Sequence, residues 1–339
     1  MNPVTPVDGN EEPVSSDTAL ALYPPKFTRP KADVAQVWLR SATSLALYLI
    51  IGFYFFRSLE MILLITAIVV LHELGHFIAM KSFRYNDLGI FFIPLLGAYV
   101  SGTKREVSQK ESAIILLAGP LPGMIIGLIF YFLYQQNNEL AFGFLSFRTI
   151  GLAFLFLNLL NLLPVYPLDG GQLLNRVFLD EESWLSKGFQ WLSIIALAWA
   201  ALFAFSQPVY VLLIFPVMLM LRQFGDSKAQ NVEKKIEEAG IDLNYSYADL
   251  PDETYWKTRN ILIAEHSGFS DVPSSPPYSY HAKEEKIMGF IESLLHRHLI
   301  QDMGLAGKLF LLLLWLAALS CPWWLSVDTD YLSRLGIAI

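Results

Sequence analysis

The sequence is poor in the residues on which water-soluble domains rely. Only 16% of its 339 residues are charged, and the formal net charge is −7 with no long basic run. That balance excludes the electrostatic footprint of a nucleic-acid-binding protein. A single cysteine, Cys321, excludes an internal disulfide and any CxxC metal site. No apolar core follows a basic start near Met1 and no cleavage pattern is visible, so the first hydrophobic span is expected to be a retained anchor rather than a signal peptide. No segment recurs at a fixed period, which argues against a solenoid.

Apolar residues are abundant instead. They make up 54% of the chain, against roughly 45–50% in an ordinary soluble domain. A soluble globule could not keep runs such as Met61–Val70 and Lys308–Leu319 out of water. Hydrophobic spans cover Val37–Phe56, Leu59–Met80, Ser112–Tyr134, Thr149–Val165, Gly188–Phe205, Pro208–Leu221 and Lys308–Leu325. They predict an all-α polytopic membrane protein with about seven crossings of a core roughly 30 Å thick. Residues 1–36, rich in Pro, Ser, Asp and Glu, are expected to be disordered. Residues 37–222 form the transmembrane domain, 223–304 a soluble segment with few apolar residues, and 305–339 a last transmembrane helix with its tail.

Lys26, Arg29, Lys31 and Arg40 flank the first span, and Lys81, Arg84, Lys104, Arg105 and Lys110 sit between the second and third. The loop 135–148 holds only Arg148. Basic loops stay in the cytosol, so this alternation places the N-terminus, the loops 81–110 and 169–187, and the segment after Arg222 on the cytosolic side.

Within the second span stands His72-Glu73-Leu74-Gly75-His76. At 3.6 residues per turn, the two histidines are about 40° apart around a helix and about 6 Å apart along it, so both imidazoles can meet one metal ion. Ionisable groups at membrane depth are costly and need a compensating partner, and a divalent cation compensates all three at once. The bland alternative is a set of hydrogen-bonded structural residues inside the bundle. An open catalytic zinc site takes three protein ligands. Asp169 is the leading third ligand, because it follows a segment that Pro164 and Pro167 keep from continuing as a helix and precedes Gly170 and Gly171. Non-helical backbone at membrane depth belongs beside protein or a wet cavity. Otherwise Asp169 would cap a short helix through Leu173–Val177.

In this pairing of HExxH with Asn161-Leu-Leu-Pro-Val-Tyr-Pro-Leu-Asp169-Gly-Gly, and in Gly97-Ala98-Tyr99-Val100 between them, the sequence resembles the site-2 protease family of intramembrane zinc metalloproteases. The resemblance covers Leu59 to about Arg176. It implies a three-helix metalloprotease core in which His72, His76 and Asp169 hold one zinc ion, Glu73 is the catalytic carboxylate and Asn161 helps position substrate. It further implies endopeptidase action on transmembrane protein substrates, in regulated intramembrane proteolysis; the basic loops and the need for water at the site lead to the expectation that it lies in the cell membrane and opens to the cytosol. Where the family often carries Asn after an Ala-Gly-Pro start to the third helix, this chain has Leu121. Gly119, Gly123 and Gly127 read as a ridge for close helix packing.

The segment Gly89–Ser101, broken by Pro94 and Gly97, is short for a crossing and is expected either as a re-entrant β-hairpin that binds unwound substrate by strand addition or as a plain packed loop. His296 and His298, on an expected helix Glu284–Leu299, point to different faces, while His266 and His281 read as solvated and Cys321 as a small buried apolar group. Two other functions would use the same residues: a non-catalytic membrane adaptor that keeps the bundle, or a metal carrier.

Overall fold

A helix whose sides are all apolar can face lipid everywhere except where it packs on a neighbour, so the few polar residues on it mark the packed side. The computed structural model describes residues 23–28, 34–94, 97–104, 106–179, 183–203, 210–295 and 299–324. In chain order it contains α1 (Val34–Phe56), α2 (Leu59–Ser82), β1 (Asn86–Ile93), β2 (Gly97–Thr103), β3 (Val107–Ser108), α3 (Gln109–Ala118), α4 (Pro120–Gln136), β4 (Ala141–Phe142), β5 (Leu145–Ser146) and α5 (Phe147–Leu162). There follow α6 (Asp169–Leu173) with a π-helical turn Leu174–Leu179, α7 (Trp184–Phe203), α8 (Ile214–Glu238), α9 (Asp252–Glu265), α10 (Glu284–Leu294), β6 (Leu299–Ile300) and α11 (Leu305–Trp324). The chain divides into two units, one of residues 31–224 and 297–339, the other of residues 1–30 and 225–296.

The first unit holds the apolar helices. Among the described residues five are long and apolar enough to cross a membrane, Gln36–Tyr54, Leu59–Ser82, Gln109–Gln136, Trp184–Phe203 and Leu305–Trp323, and two shorter apolar helices are Phe147–Leu162 and Ile214–Gly225. Ser58 caps α2 by accepting from the Met61 N–H, and Glu60 and Lys81 lie at its positive and negative ends. Leu63, Leu71, Leu74 and Ile78 of α2 are exposed, whereas Thr66, His72, Glu73 and His76 are buried. The expected span Ser112–Tyr134 is divided between α3 and α4 at Gly119, with Pro120 opening the second helix where its missing N–H costs nothing. Gly127 and Gly151 let α4 and α5 touch backbone to backbone, since a Cβ on either would stand 2.9 or 2.8 Å from the other's carbonyl oxygen.

The loop after α2 is an antiparallel hairpin in which Ile90 opposes Val100 and Phe91 opposes Tyr99. Ser44 of α1 accepts the Phe92 N–H at 3.1 Å, and the Tyr48 and Phe92 rings meet at 6.0 Å, so β1 is secured to α1. β3 pairs in parallel with β6, placing the start of α3 beside the start of the last helix.

The second unit corrects three expectations. Its core gathers Val232, Ile236, Leu250, Trp256, Leu262 and Ile287, with a ring cluster in which Trp256 stacks on Tyr280 at 11°. Most of the buried core residues are aliphatic, and the aromatic rings packed among them each bury a large area, so the expectation of few apolar residues underrates this core. The expected disorder of residues 1–36 does not hold for 23–28. Tyr23 and Phe27 pack on this core, Pro24 accepts the Trp256 indole N–H at 2.8 Å, and the Lys26 N–H donates to Asp252 Oδ1 at 2.7 Å. The rest of 1–33 lies outside the described residues, as do His296 and His298. The helix expected over Glu284–Leu299 ends at Leu294.

At the centre of this unit Arg259 and Glu284 are 0% and 1% exposed. Arg259 donates to Glu284 through Nε at 2.7 Å and Nη2 at 3.0 Å, and the Tyr255 hydroxyl donates at 2.6 Å. Burial pushes the Glu284 carboxyl up, but these donors outweigh it and hold it below the usual carboxylate range. The pair therefore contributes stability above the unfolded carboxylate's ordinary pKa of about 4.3, and that stability is lost as pH falls through the lower folded value. Arg259→Met should cost this unit about 3–5 kcal/mol, because it strands a buried charge. Urea-dependent amide exchange over Tyr255–Ile291 in the full chain measures it, and a loss under about 1 kcal/mol would show the pair to be dispensable.

Candidate metal centre

His72 and His76 stand on the inward side of α2, with His72 about 20 Å from its start and about 15 Å from its end and His76 one turn nearer the end, at 1.5 Å per residue. Each ring is fixed by its Nδ1. For His76 the partner is the Ile115 carbonyl oxygen at 2.7 Å, which can only accept, so Nδ1 carries the proton. For His72 the partner is Asn158 Oδ1 at 2.9 Å. The Asn158 amide is oriented by its Nδ2, which donates to the Phe154 carbonyl at 2.7 Å, so its oxygen faces His72 and again Nδ1 carries the proton.

With both rings neutral, each Nε2 presents a lone pair, and both point at the same place. His72 Nε2 lies 3.0 Å and His76 Nε2 3.3 Å from Asp169 Oδ2, and the two nitrogens are 3.1 Å apart. No proton lies between any of these atoms in that tautomer. Asp169 Oδ2 is accordingly a buried oxygen without a hydrogen-bond donor. An orphaned carboxylate oxygen facing two imidazole lone pairs is unfavourable in a protein interior, and a cation at the centre of the three relieves it. All three ligand atoms lie within 4.8 Å of one another. Two neutral imidazoles and one carboxylate suit Zn²⁺ and leave a position open for water or substrate.

The surrounding glycines make the arrangement sterically possible. A Cβ at Gly75 would stand 2.0 Å from the Ala118 carbonyl oxygen, so α2 and α3 approach through it. A Cβ at Gly119 would lie 2.4 Å from His76 Nε2, and one at Gly123 would lie 2.3 Å from Asn158 Nδ2. Of the ridge read from sequence as helix packing, only Gly127 has that role; Gly119 and Gly123 make room for the His76 ring and the Asn158 amide. A Cβ at Gly170 would likewise stand 2.0 Å from the Leu162 carbonyl oxygen, so the glycine seats Asp169 on the break that ends α5.

Glu73, next to His72, is 6% exposed and so is held at the same depth. Asp169 opens α6, but its carboxylate faces the histidines, and the turn expected through Leu173–Val177 is π-helical from Leu174. Asn161 donates to the Leu157 carbonyl within its own helix at 3.2 Å and touches none of the three ligands. Gly97 begins β2 at φ +106 with open space where a side chain would stand. Sequence reasoning missed Asn158, one helical turn before Asn161; an amide buried in an apolar helix was the signal that could have found it. His266 Nδ1 accepts the Gly268 N–H at 3.1 Å, and Cys321 packs beside the apolar cluster that includes Leu311, Trp315 and Ala318.

Comparison with known proteins bears on this geometry. Residues 60–146 match the model of peptidase family M50, a stretch that contains His72, Glu73 and His76. A zinc metalloprotease of Methanocaldococcus jannaschii is 30% identical over 117 residues, which cover 34% of this chain and 34% of that protein. Stage IV sporulation protein FB of Bacillus subtilis is 30% identical over 120 residues, covering 35% and 41%. The chain thus matches between about a third and two-fifths of the length of these relatives. Among solved structures, a site-2 protease from Methanocaldococcus jannaschii aligns with TM-score 0.39 and 20% identity, covering 55% of this chain and 84% of the other.

Proposed function

We propose that this chain, which belongs to the site-2 protease family, is an intramembrane zinc endopeptidase that hydrolyses peptide bonds in transmembrane substrate helices, in regulated intramembrane proteolysis. The observation that carries the reading is the convergence of His72 Nε2, His76 Nε2 and Asp169 Oδ2 on one buried point, beside a buried carboxylic side chain, Glu73. One zinc ion held by those three residues supplies Lewis-acid polarisation of water and of the scissile carbonyl. Asn158 and the Ile115 carbonyl hold both rings with their lone pairs inward. Glu73 takes the proton of the attacking water and returns it to the departing amine.

The same reading assigns the remaining parts of the chain. Seven helices cross the membrane, counting the two shorter apolar ones, and the site opens to the cytosol because the basic loops lie on that side. The β1–β2 hairpin is re-entrant. A substrate helix keeps its carbonyls inside its own ladder, so it must unwind locally, and β2 binds the extended segment by strand addition, with Gly97 and Asn161 placed along its path. Residues 225–296 with 23–28 form a cytosolic unit.

A metal carrier built on the same ligands would exchange its ion, whereas a protease must retain it through turnover. The test combines both properties. Purified full chain should contain one zinc per molecule by mass spectrometry, cleave a model transmembrane substrate in proteoliposomes, stop on chelation and recover on adding zinc. Material lacking stoichiometric transition metal, or cleaving equally well after chelation, overturns the reading.

A further inference from the structure

Where α5 ends at Leu162, the backbone runs without helical structure until Asp169. The carbonyls of a final helical turn have no partners within the helix, and in an apolar interior each must find one elsewhere. Local turns supply part of the need: Leu163 N–H bonds to the Leu160 carbonyl at 3.2 Å, Val165 N–H to Leu163 at 2.8 Å and Leu168 N–H to Val165 at 2.9 Å. The Leu162 carbonyl and the Tyr166 N–H are met from outside. Trp315 of α11 donates its indole N–H to the Leu162 carbonyl at 2.9 Å. Ser193 of α7 accepts the Tyr166 N–H at 3.0 Å, while its own hydroxyl proton goes to the Phe189 carbonyl at 2.9 Å. Both side chains are buried, and both sit on helices outside the residues 60–146 matched by the family model.

We propose that Trp315 and Ser193 are positioning residues for Asp169, clamping at its start and at Tyr166 within it the break that delivers this carboxylate to the histidines. The Leu162 carbonyl held by Trp315 is the atom on which Gly170 rests, where a Cβ would come within 2.0 Å, so a shift of that carbonyl is transmitted to the residue next to Asp169. Tyr166, held by Ser193, lies three residues before Asp169. The inference rests on the reading of His72, His76 and Asp169 as a metal site. Packing is the competing explanation for α11, because Leu311, Trp315 and Ala318 share one apolar cluster with Leu162, Leu173 and Val177. A packing role predicts altered stability with an unaltered metal; a positioning role predicts an altered metal.

The test uses the full chain in detergent micelles, with zinc exchanged for Co²⁺ so that ligand geometry can be read from visible absorption. Ser193→Ala and Trp315→Phe should release metal to a chelator about tenfold faster than the unsubstituted chain, the low end of what outer partners of metal ligands contribute. Both should shift the cobalt bands, while Ser193→Thr, which keeps the hydroxyl, should restore the parent rate and spectrum. Unchanged release and spectrum in folded Ser193→Ala and Trp315→Phe overturn the proposal, as does a Thr variant no better than Ala. Should Trp315→Phe fail to fold, the Ser193 pair decides. An unsubstituted chain that takes up no cobalt overturns both this proposal and the metal site beneath it, whereas uptake with indifferent variants overturns the clamp alone.

Discussion

Glu73→Gln is expected to lower cleavage of a model transmembrane substrate by about 10²–10⁴-fold while leaving the metal content unchanged. The substitution keeps the length and volume of the side chain and removes one property, the ability to accept a proton and release it again. Glu73 is buried at 6% exposure, so bulk water is poorly placed to substitute for it. The three ligand atoms belong to other side chains, and the hydrogen bonds that orient the rings run to Ile115 and Asn158, so an amide at position 73 disturbs none of them. Turnover in proteoliposomes and zinc per chain by mass spectrometry, measured on the same preparation, give the two numbers. An adaptor or a carrier would retain its function in this variant. Turnover within a few-fold of the parent removes Glu73 from the chemistry, and loss of metal would instead make it part of the binding site.

The divide between what was legible in the sequence and what was not follows the range of the interactions involved. His72 and His76 are one helical turn apart, so the period of the helix alone brings them together. Asp169 is distant in sequence but is announced by Pro164, Pro167, Gly170 and Gly171, residues whose backbone demands are visible without a structure. Asn158 is different. Whether Asn158 or Asn161 meets His72 depends on the rotation of α5 against α2, which no local pattern encodes, and the structure turns Asn158 inward and spends the Asn161 amide on its own helix. The glycines show the same limit: Gly119, Gly123 and Gly127 recur every four residues as a packing ridge would, yet their neighbours are a histidine ring, an amide and a backbone. In the second unit nothing in the local sequence marks Arg259 and Glu284, two charged residues that form the most deeply buried ion pair among the described residues. The segment 23–28 is short and proline-bearing, and only the aromatic surface of the distant 225–296 stretch gives it something to pack on.

Asp169→Ala should remove the metal outright, and with it cleavage. Two imidazoles alone bind a divalent ion as neutral donors, and without Asp169 the site loses its one charged ligand. The loss in affinity should exceed the roughly 10–100-fold that follows removal of an outer partner. The more searching measurement is thermal stability with and without a chelator. In the unsubstituted chain, metal bound to the folded state raises stability by mass action, and chelation removes that contribution and leaves Asp169 Oδ2 without a donor between two lone pairs. Chelation should therefore lower the melting temperature of the unsubstituted chain by several degrees, about what 1–2 kcal/mol produces in a domain of this size. In Asp169→Ala the orphaned oxygen and the ion are both absent, so chelation should leave the melting temperature where it was. Equal sensitivity of the two proteins to the chelator would mean that metal is held elsewhere, and would separate Asp169 from His72 and His76 as a ligand.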